Sequence, residues 1–297
     1  MKAGWLLGCC LGLVSGACCS ADAGIVTLAD GELRLLRGVN WYRLVEGARV
    51  LDGDVVETAE RAQAQVELLR GGSVNLGGPT ALYIGGAARE GRQASDLYLA
   101  QGWLKVAAKA PGAPLRLRSL LATIELANAV VVAQAAASAF ELFVESGEAR
   151  VIEPGRSGAD ALRAVHEGGF ARRASGQPFA VAGRAPPAFV AAMPRQFMDT
   201  LPSRMEKFKS TRAELKFERA ITFAEAEPWL NGPYRSVFIR RLEPRLADTA
   251  FRTAASANAQ AYPEWSSILA PRDAATTEAA KLPERKESGL PWPFSHR

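Results

Sequence analysis

The chain has 297 residues, 48% of them hydrophobic and 23% charged, with a formal net charge of +5. Such a composition supports a sizeable core in one large domain or two moderate ones. Beyond residue 23 no stretch approaches the roughly 18 apolar residues of a spanning helix, and all four cysteines fall at positions 9, 10, 18 and 19. A transmembrane span, a disulfide framework and a cysteine metal site are therefore excluded from the remainder on this reading.

Lys2 provides a positive start, Trp5 to Val14 is apolar apart from small residues, and Ala21 and Ala23 occupy the two positions that a signal peptidase inspects. The pattern predicts a signal peptide over 1–23 with cleavage before Gly24, and hence a periplasmic protein, either free or associated with the outer membrane. A degraded lipobox, Ser15-Gly16-Ala17-Cys18, offers the alternative of a lipid anchor at Cys18, although Ser15 stands where leucine is preferred. The remaining charge is uneven. The stretch 24–165 has a net of −1 and 166–297 a net of +6, an asymmetry that marks a boundary and suits an anionic surface.

From Gly24 short apolar runs alternate with turn residues. Strands are expected at Glu32 to Leu36, Asn40 to Val45 and around Val55-Val56, then at Gln63 to Leu69, Ser73 to Leu76 and Thr80 to Ile84. Val66 and Leu68 alternate with Gln65 and Glu67, and Gly71-Gly72 makes the two-residue connection of a hairpin. The apolar run 129–139 reads as a core strand. Brief strands with a turn every 8 to 12 residues suit a sandwich or an irregular β-solenoid. Asp52 and Asp54 read as turn-forming side chains.

Arg37-Gly38, Gly47, Gly53-Asp54-Val55-Val56-Glu57-Thr58, and Val66-Glu67-Leu68 with Gly71-Gly72-Ser73-Val74-Asn75-Leu76 resemble the FecR family. The likeness continues through Leu99 to Val106, Leu120 to Glu125, Ser138 to Val144 and Glu145 to Val151, and covers about 33–170. Gly72 stands where the family usually has aspartate, and Leu121 where proline is common. The resemblance implies an extracytoplasmic module of short strands over 24–175. Members that regulate iron uptake carry a cytoplasmic helical segment and a transmembrane helix before the module and bind a sigma factor inside. Here the module follows directly on the leader, so the expectation is a stand-alone exported version without anti-sigma signalling.

Residues 176–190 read as a linker and 191–269 as a smaller helical subdomain. The span 191–219 is rich in Lys and Arg, Thr222 to Glu225 has the form of a capping box, and Pro233 and Pro244 are placed to open further helices. Residues 270–297 read as a flexible tail. Nucleic acid is a poor partner for an exported protein, leaving an envelope protein or an anionic cell-wall polymer. The residues put forward as contacts are Trp41, Trp103, Arg195, Arg204, Lys207, Lys209 and Arg212.

Little points to chemistry. The chain holds two histidines, His166 and His296, too few for a zinc site without cysteine, and glycine pairs such as Gly71-Gly72 lie between strands rather than before a helix. No catalytic, cofactor-binding or metal-binding residue is assigned, and no cofactor is expected. The expected function is a non-enzymatic binding or assembly module of the cell envelope. The alternative is a peptidoglycan- or polysaccharide-binding protein using Trp41, Trp103 and the basic span. A third reading, glycan hydrolysis, needs a carboxylate pair such as Glu145 with Glu148 or Asp52 with Asp54.

Overall fold

The computed structural model describes residues 21–86, 95–109, 114–153 and 161–269. Most of the expected leader, Cys18 and the expected tail lie outside the described residues. The chain divides into two compact units, Met1–Phe238 and Ile239–Arg297.

The first unit is built from strands β1 (Asp22–Asp30), β2 (Leu33–Arg37), β3 (Asn40–Arg43), β4 (Arg49–Leu51), β5 (Asp54–Thr58), β6 (Gln63–Leu68), β7 (Gly72–Leu76) and β8 (Thr80–Gly86). Three long or bent strands follow, β9 (Ser95–Lys109), β11 (Thr123–Ala135) and β12 (Ala139–Glu153), with the short β10 (Leu115–Arg118) between the first two. The set closes with β13 (Ala161–His166), β14 (Phe170–Ala174), β15 (Ala180–Ala182) and β16 (Lys216–Ala220). The β-rich architecture and the strands expected from the period-two runs are present, including the β6–β7 hairpin with Val66 opposite Val74.

The sixteen strands among the described residues share one hydrogen-bonded network, and β9, β11 and β12 divide it into two half-sheets. Residues 95–101 of β9 pair with β8, whereas 102–109 pair with β7 and β11. The first turns of β11 pair with β10 and its remainder with β9. One end of β12 takes β14 and the other takes β13. One half-sheet therefore runs β16-β3-β2-β5-β8-β9-β10-β11-β12-β13, and the other β4-β1-β6-β7-β9-β11-β12-β14-β15. Leu35, Val56, Leu82, Leu117 and Ile124 of the first and Val26, Val66, Leu104, Val131 and Leu142 of the second belong to one buried cluster, so the two halves face each other in the manner of a sandwich with shared corners.

Both outer faces are also covered, which the sequence does not announce. Beyond β15 the chain runs as a strap containing α1 (Pro187–Ala192), α2 (Met205–Phe208) and β16. The expected linker is thus part of the β unit, with Phe179 and Phe189 buried. The helical reading of 191–219 is corrected: the prolines at 194 and 202 leave room for single turns alone, and Lys216–Ala220 pairs antiparallel with β3. Helix α3 (Phe223–Leu230) begins at the expected capping box, Thr222 with Glu225. Its Trp229, together with Tyr234 and Phe238 of the chain that follows, stacks on Tyr83 and Tyr98 of β8 and β9.

The unit boundary falls within α4 (Arg235–Leu242). In the second unit Asp248 caps α5 (Thr249–Ala257) by accepting from Phe251 N at 2.9 Å. Trp265 donates its indole N–H to Ile239 O at 3.1 Å and packs on Tyr262 and Phe251, just before the short α6 (Ser266–Leu269).

The corner of β12 gives a paired test. Gly147 has φ 78° and a Cβ there would lie 2.2 Å from Asn128 O; Gly168 has φ 76° with nothing within 4 Å. Gly147→Ala is expected to lower unfolding free energy by about 3 kcal/mol, and Gly168→Ala by about 1 kcal/mol, the backbone cost alone. Urea denaturation measures both; equal losses would show that the close approach at Gly147 costs nothing.

Candidate functional site

The two tryptophans put forward as contacts are core residues. Trp41 is 0% exposed beneath the Arg34 guanidinium, 4.2 Å from its ring. Trp103 packs on Phe189 and sits in a buried cluster with Val132, Phe170, Met193 and Phe197. Neither ring can stack on a sugar in this conformation, and their assignment as contacts is withdrawn.

The basic residues are largely spent on the strap. Arg204 donates to Thr27 O at 2.7 Å and to the Glu46 carboxylate at 3.1 and 3.3 Å. Lys207 lies over the Phe208 ring, Lys209 pairs with Glu206 at 2.8 Å, and Arg212 pairs with Asp22 at 3.2 Å. Arg195 is exposed on a short 3-10 turn. With three of these five charges matched by carboxylates, one of them Asp22 within the expected leader, the span offers an anionic polymer less than its composition promised.

The reason for those contacts lies in a buried polar row on the outer face of the second half-sheet. Gln65, Asn75 and Lys105 face one another across β6, β7 and β9, and each is at most 9% exposed. The Lys105 ammonium donates to Phe197 O at 2.5 Å and pairs with Glu145 at 2.8 Å. Glu67 accepts from Arg204 N at 2.6 Å and from the Ser203 hydroxyl. These side chains satisfy the backbone of an irregular segment that has no ladder of its own.

The carboxylates considered for chemistry hold structure as well. Asp54 accepts two hydrogen bonds from Arg37, at 3.1 and 2.6 Å, and one from Leu51 N at 2.8 Å. Burial pushes the Asp52 carboxyl up, against the pull of Arg70. Glu148 accepts from Arg150 Nε at 2.9 Å and lies 3.5 Å from His166 Nδ1. A groove of about 430 Å³ lined in part by Glu125, Asn128, Glu148 and Arg150 brings two carboxylates together, each paired with an arginine. Among the described residues no cluster of three or more metal-ligating side chains occurs.

A second charged network ties the first half-sheet to α3. Arg34 bridges Glu57 at 2.8 Å and Glu225 at 3.0 Å, and Arg219 donates twice to Glu225 at 2.7 Å. The Arg219 hydrogen bonds, helped by Thr222, hold the Glu225 carboxyl well below its usual range, whereas burial pushes Glu57 up despite Arg34.

One concave site has hydrogen-bonding capacity to spare. On β10 Leu115 and Leu117 point into the core, so Arg116 and Arg118 project from the outer face. Register places Arg116 between Asp96 and Glu125, and Arg118 between Tyr98 and Thr123. Arg116 donates to Glu125 at 3.0 Å, but Arg118 comes no nearer than 3.9 Å to Asp96, beyond hydrogen-bond reach. The Ser119 hydroxyl accepts from Leu121 N and Ala122 N, closing a turn that leaves Leu120 58% exposed. With Arg173 of β14 and Pro233 these residues line a cavity of about 510 Å³. The sequence reading missed it, since its arginines are scattered through the first half of the chain and the β unit's end; the alternating Leu-Arg-Leu-Arg of β10 was the available signal.

No protein-family model matches the chain, and no curated protein matches it. Two crystal structures of a "putative anti-sigma factor" from Parabacteroides distasonis, at 1.65 Å and 2.50 Å resolution, are similar in part. Each is 13% identical with a TM-score of 0.38 over 44% of this chain, which spans 59% of that chain's length.

Two outcomes test the staples. Lys105→Met is expected to cost about 3 kcal/mol in urea denaturation and to speed native-state proteolysis within 198–204; unchanged cleavage would show that the strap does not depend on it. Because the Glu225 carboxyl is depressed, its stabilisation is present above its ordinary value of 4.5 and fades as pH falls below it. Glu225→Gln should therefore cost about 1 kcal/mol at pH 7 and progressively less in acid; a pH-independent difference would reject the assignment.

Proposed function

We propose that this chain is an exported module of FecR type that works in the cell envelope by binding, without a reactive centre of its own. The observation that carries this reading is how the available acids are used. Asp54, Glu67, Glu145 and Glu148 each hold a turn, a strap or an adjacent arginine, so at least one member of each carboxylate pair considered for acid–base chemistry is engaged in the scaffold. The resemblance carried by Gly53 to Thr58 and Val66 to Leu76 supports the FecR assignment, and Gly53, Gly71 and Gly72 all adopt the positive φ that its glycine-punctuated turns require.

Between the two partners considered, a protein of the envelope is favoured over a glycan, since burial of Trp41 and Trp103 removes the stacking rings on which the polysaccharide reading drew. The chain is expected in the envelope fraction of cells expressing it in full, with a new N-terminus near residue 24 by mass spectrometry. Recovery from the cytosol with Met1 retained would reject the reading.

A further inference from the structure

We propose that the cavity beside β10 binds an oxyanion, a phosphate or carboxylate, carried on an apolar body, with Arg118 as its principal ligand and Arg173 as the second. The proposal does not depend on where the protein works.

Charge comes first. Among the described residues Arg116, Arg118 and Arg173 line the cavity and no carboxylate does. Glu125 compensates Arg116 from beside it, and Asp96 compensates Arg118 from 3.9 Å. Arg173 spends its Nε on Gln177 O at 3.2 Å and lies over the Phe179 ring, with no acid among the described residues paired to it. One positive charge is left over, which disfavours a cationic occupant and favours an anionic one.

Hydrogen bonding is the stronger argument. The Arg118 side chain is only 33% exposed, yet among the described residues its guanidinium makes no hydrogen bond. Arginine carries five donors, and the four on the terminal nitrogens of Arg118 are left without a protein partner. Its Nε is shut away from solvent, so the exposure that remains lies on its stem and its terminal nitrogens, the edge that takes a carboxylate or phosphate side-on. Asp96 is close enough to hold the guanidinium in place by charge without consuming that edge. A neutral polyhydroxyl ligand would use the donors and leave the surplus charge unmatched.

Size and lining describe the rest of the ligand. A cavity of about 510 Å³ falls in the range of sites for small organic molecules and is far larger than an inorganic oxyanion. Leu120, Leu121, Ile152 and Pro233 form its apolar wall. An apolar body there would cover Leu120, otherwise 58% exposed. The same chemistry belongs to a soluble alkyl phosphate and to the headgroup region of an anionic lipid.

Calorimetric titration of the full-length protein with hexyl phosphate tests the site, with hexyl glucoside and inorganic phosphate as comparisons. Hexyl phosphate should bind, and inorganic phosphate should bind at least about tenfold more weakly for want of the apolar wall. Arg118→Gln should weaken hexyl phosphate about tenfold or more and Arg173→Gln less, with the exposed Arg61→Gln unchanged. Arg118→Lys, which keeps the charge but not the fork, should fall between and serves where the glutamine variant does not fold. Co-sedimentation with phosphatidylglycerol vesicles but not phosphatidylcholine vesicles, lost in the Arg118 variants, would assign the oxyanion to a lipid; hexyl phosphate binding without vesicle binding would assign it to a soluble ligand. No binding of hexyl phosphate, equal binding of hexyl glucoside, or affinity indifferent to both Arg118 variants would overturn the proposal.

Discussion

At Gly102 and Gly147 the backbone turns with φ of 96° and 78°, at points where a Cβ would lie 2.2 Å from a carbonyl oxygen, that of Pro79 just before β8 and that of Asn128 in β11. The positive φ that glycine tolerates there lets β9 and β12 leave one half-sheet and enter the other, each beside a register shift in its ladder. Strand β11 changes over at its own irregularity, between Leu126 and Ala129. Gly102 faces Ala135 and Lys109 faces Asn128, so the changeovers of β9 and β11 lie at opposite ends of their shared ladder. The two faces of the core are therefore joined from both ends by continuous chain.

Much of this was legible in the residues. Alternation in β6 and β7, the Gly71-Gly72 turn and the Thr222 to Glu225 box all report local geometry, and local geometry is what a pattern of period two or a capping pair encodes. What covers the outer faces was not legible, because it depends on chain more than a hundred residues away. Gln65 and Glu67 read as the wet side of a strand, and in isolation they would be. They are buried because 197–204 lies over them, and that segment has neither helical nor strand period to betray its path.

The same distance effect accounts for the misplaced contacts. A lysine- and arginine-rich span looks like a free basic face until its partners are known, and Glu46, Glu206 and Asp22 are the partners here. Conversely, the arginines with capacity to spare are ones that no local cluster flags. Arg116 and Arg118 are separated from Arg173 by some fifty residues, and only the register of β10 through β12 and the β12–β14 pairing bring them to one cavity.

The polar row beneath the strap also bears on the order in which the molecule assembles. Lys105 comes to stand beside Asn75 and Gln65 only after β6, β7 and β9 have paired, and until then the backbone of Phe197 and Arg204 has nothing to find. Closing contacts across about ninety residues or more carries an entropic cost that local pairing does not. Docking of the strap is thus the natural last step of folding, and a chain emerging from synthesis would pass through a stage with its sandwich formed and its charged flank bare.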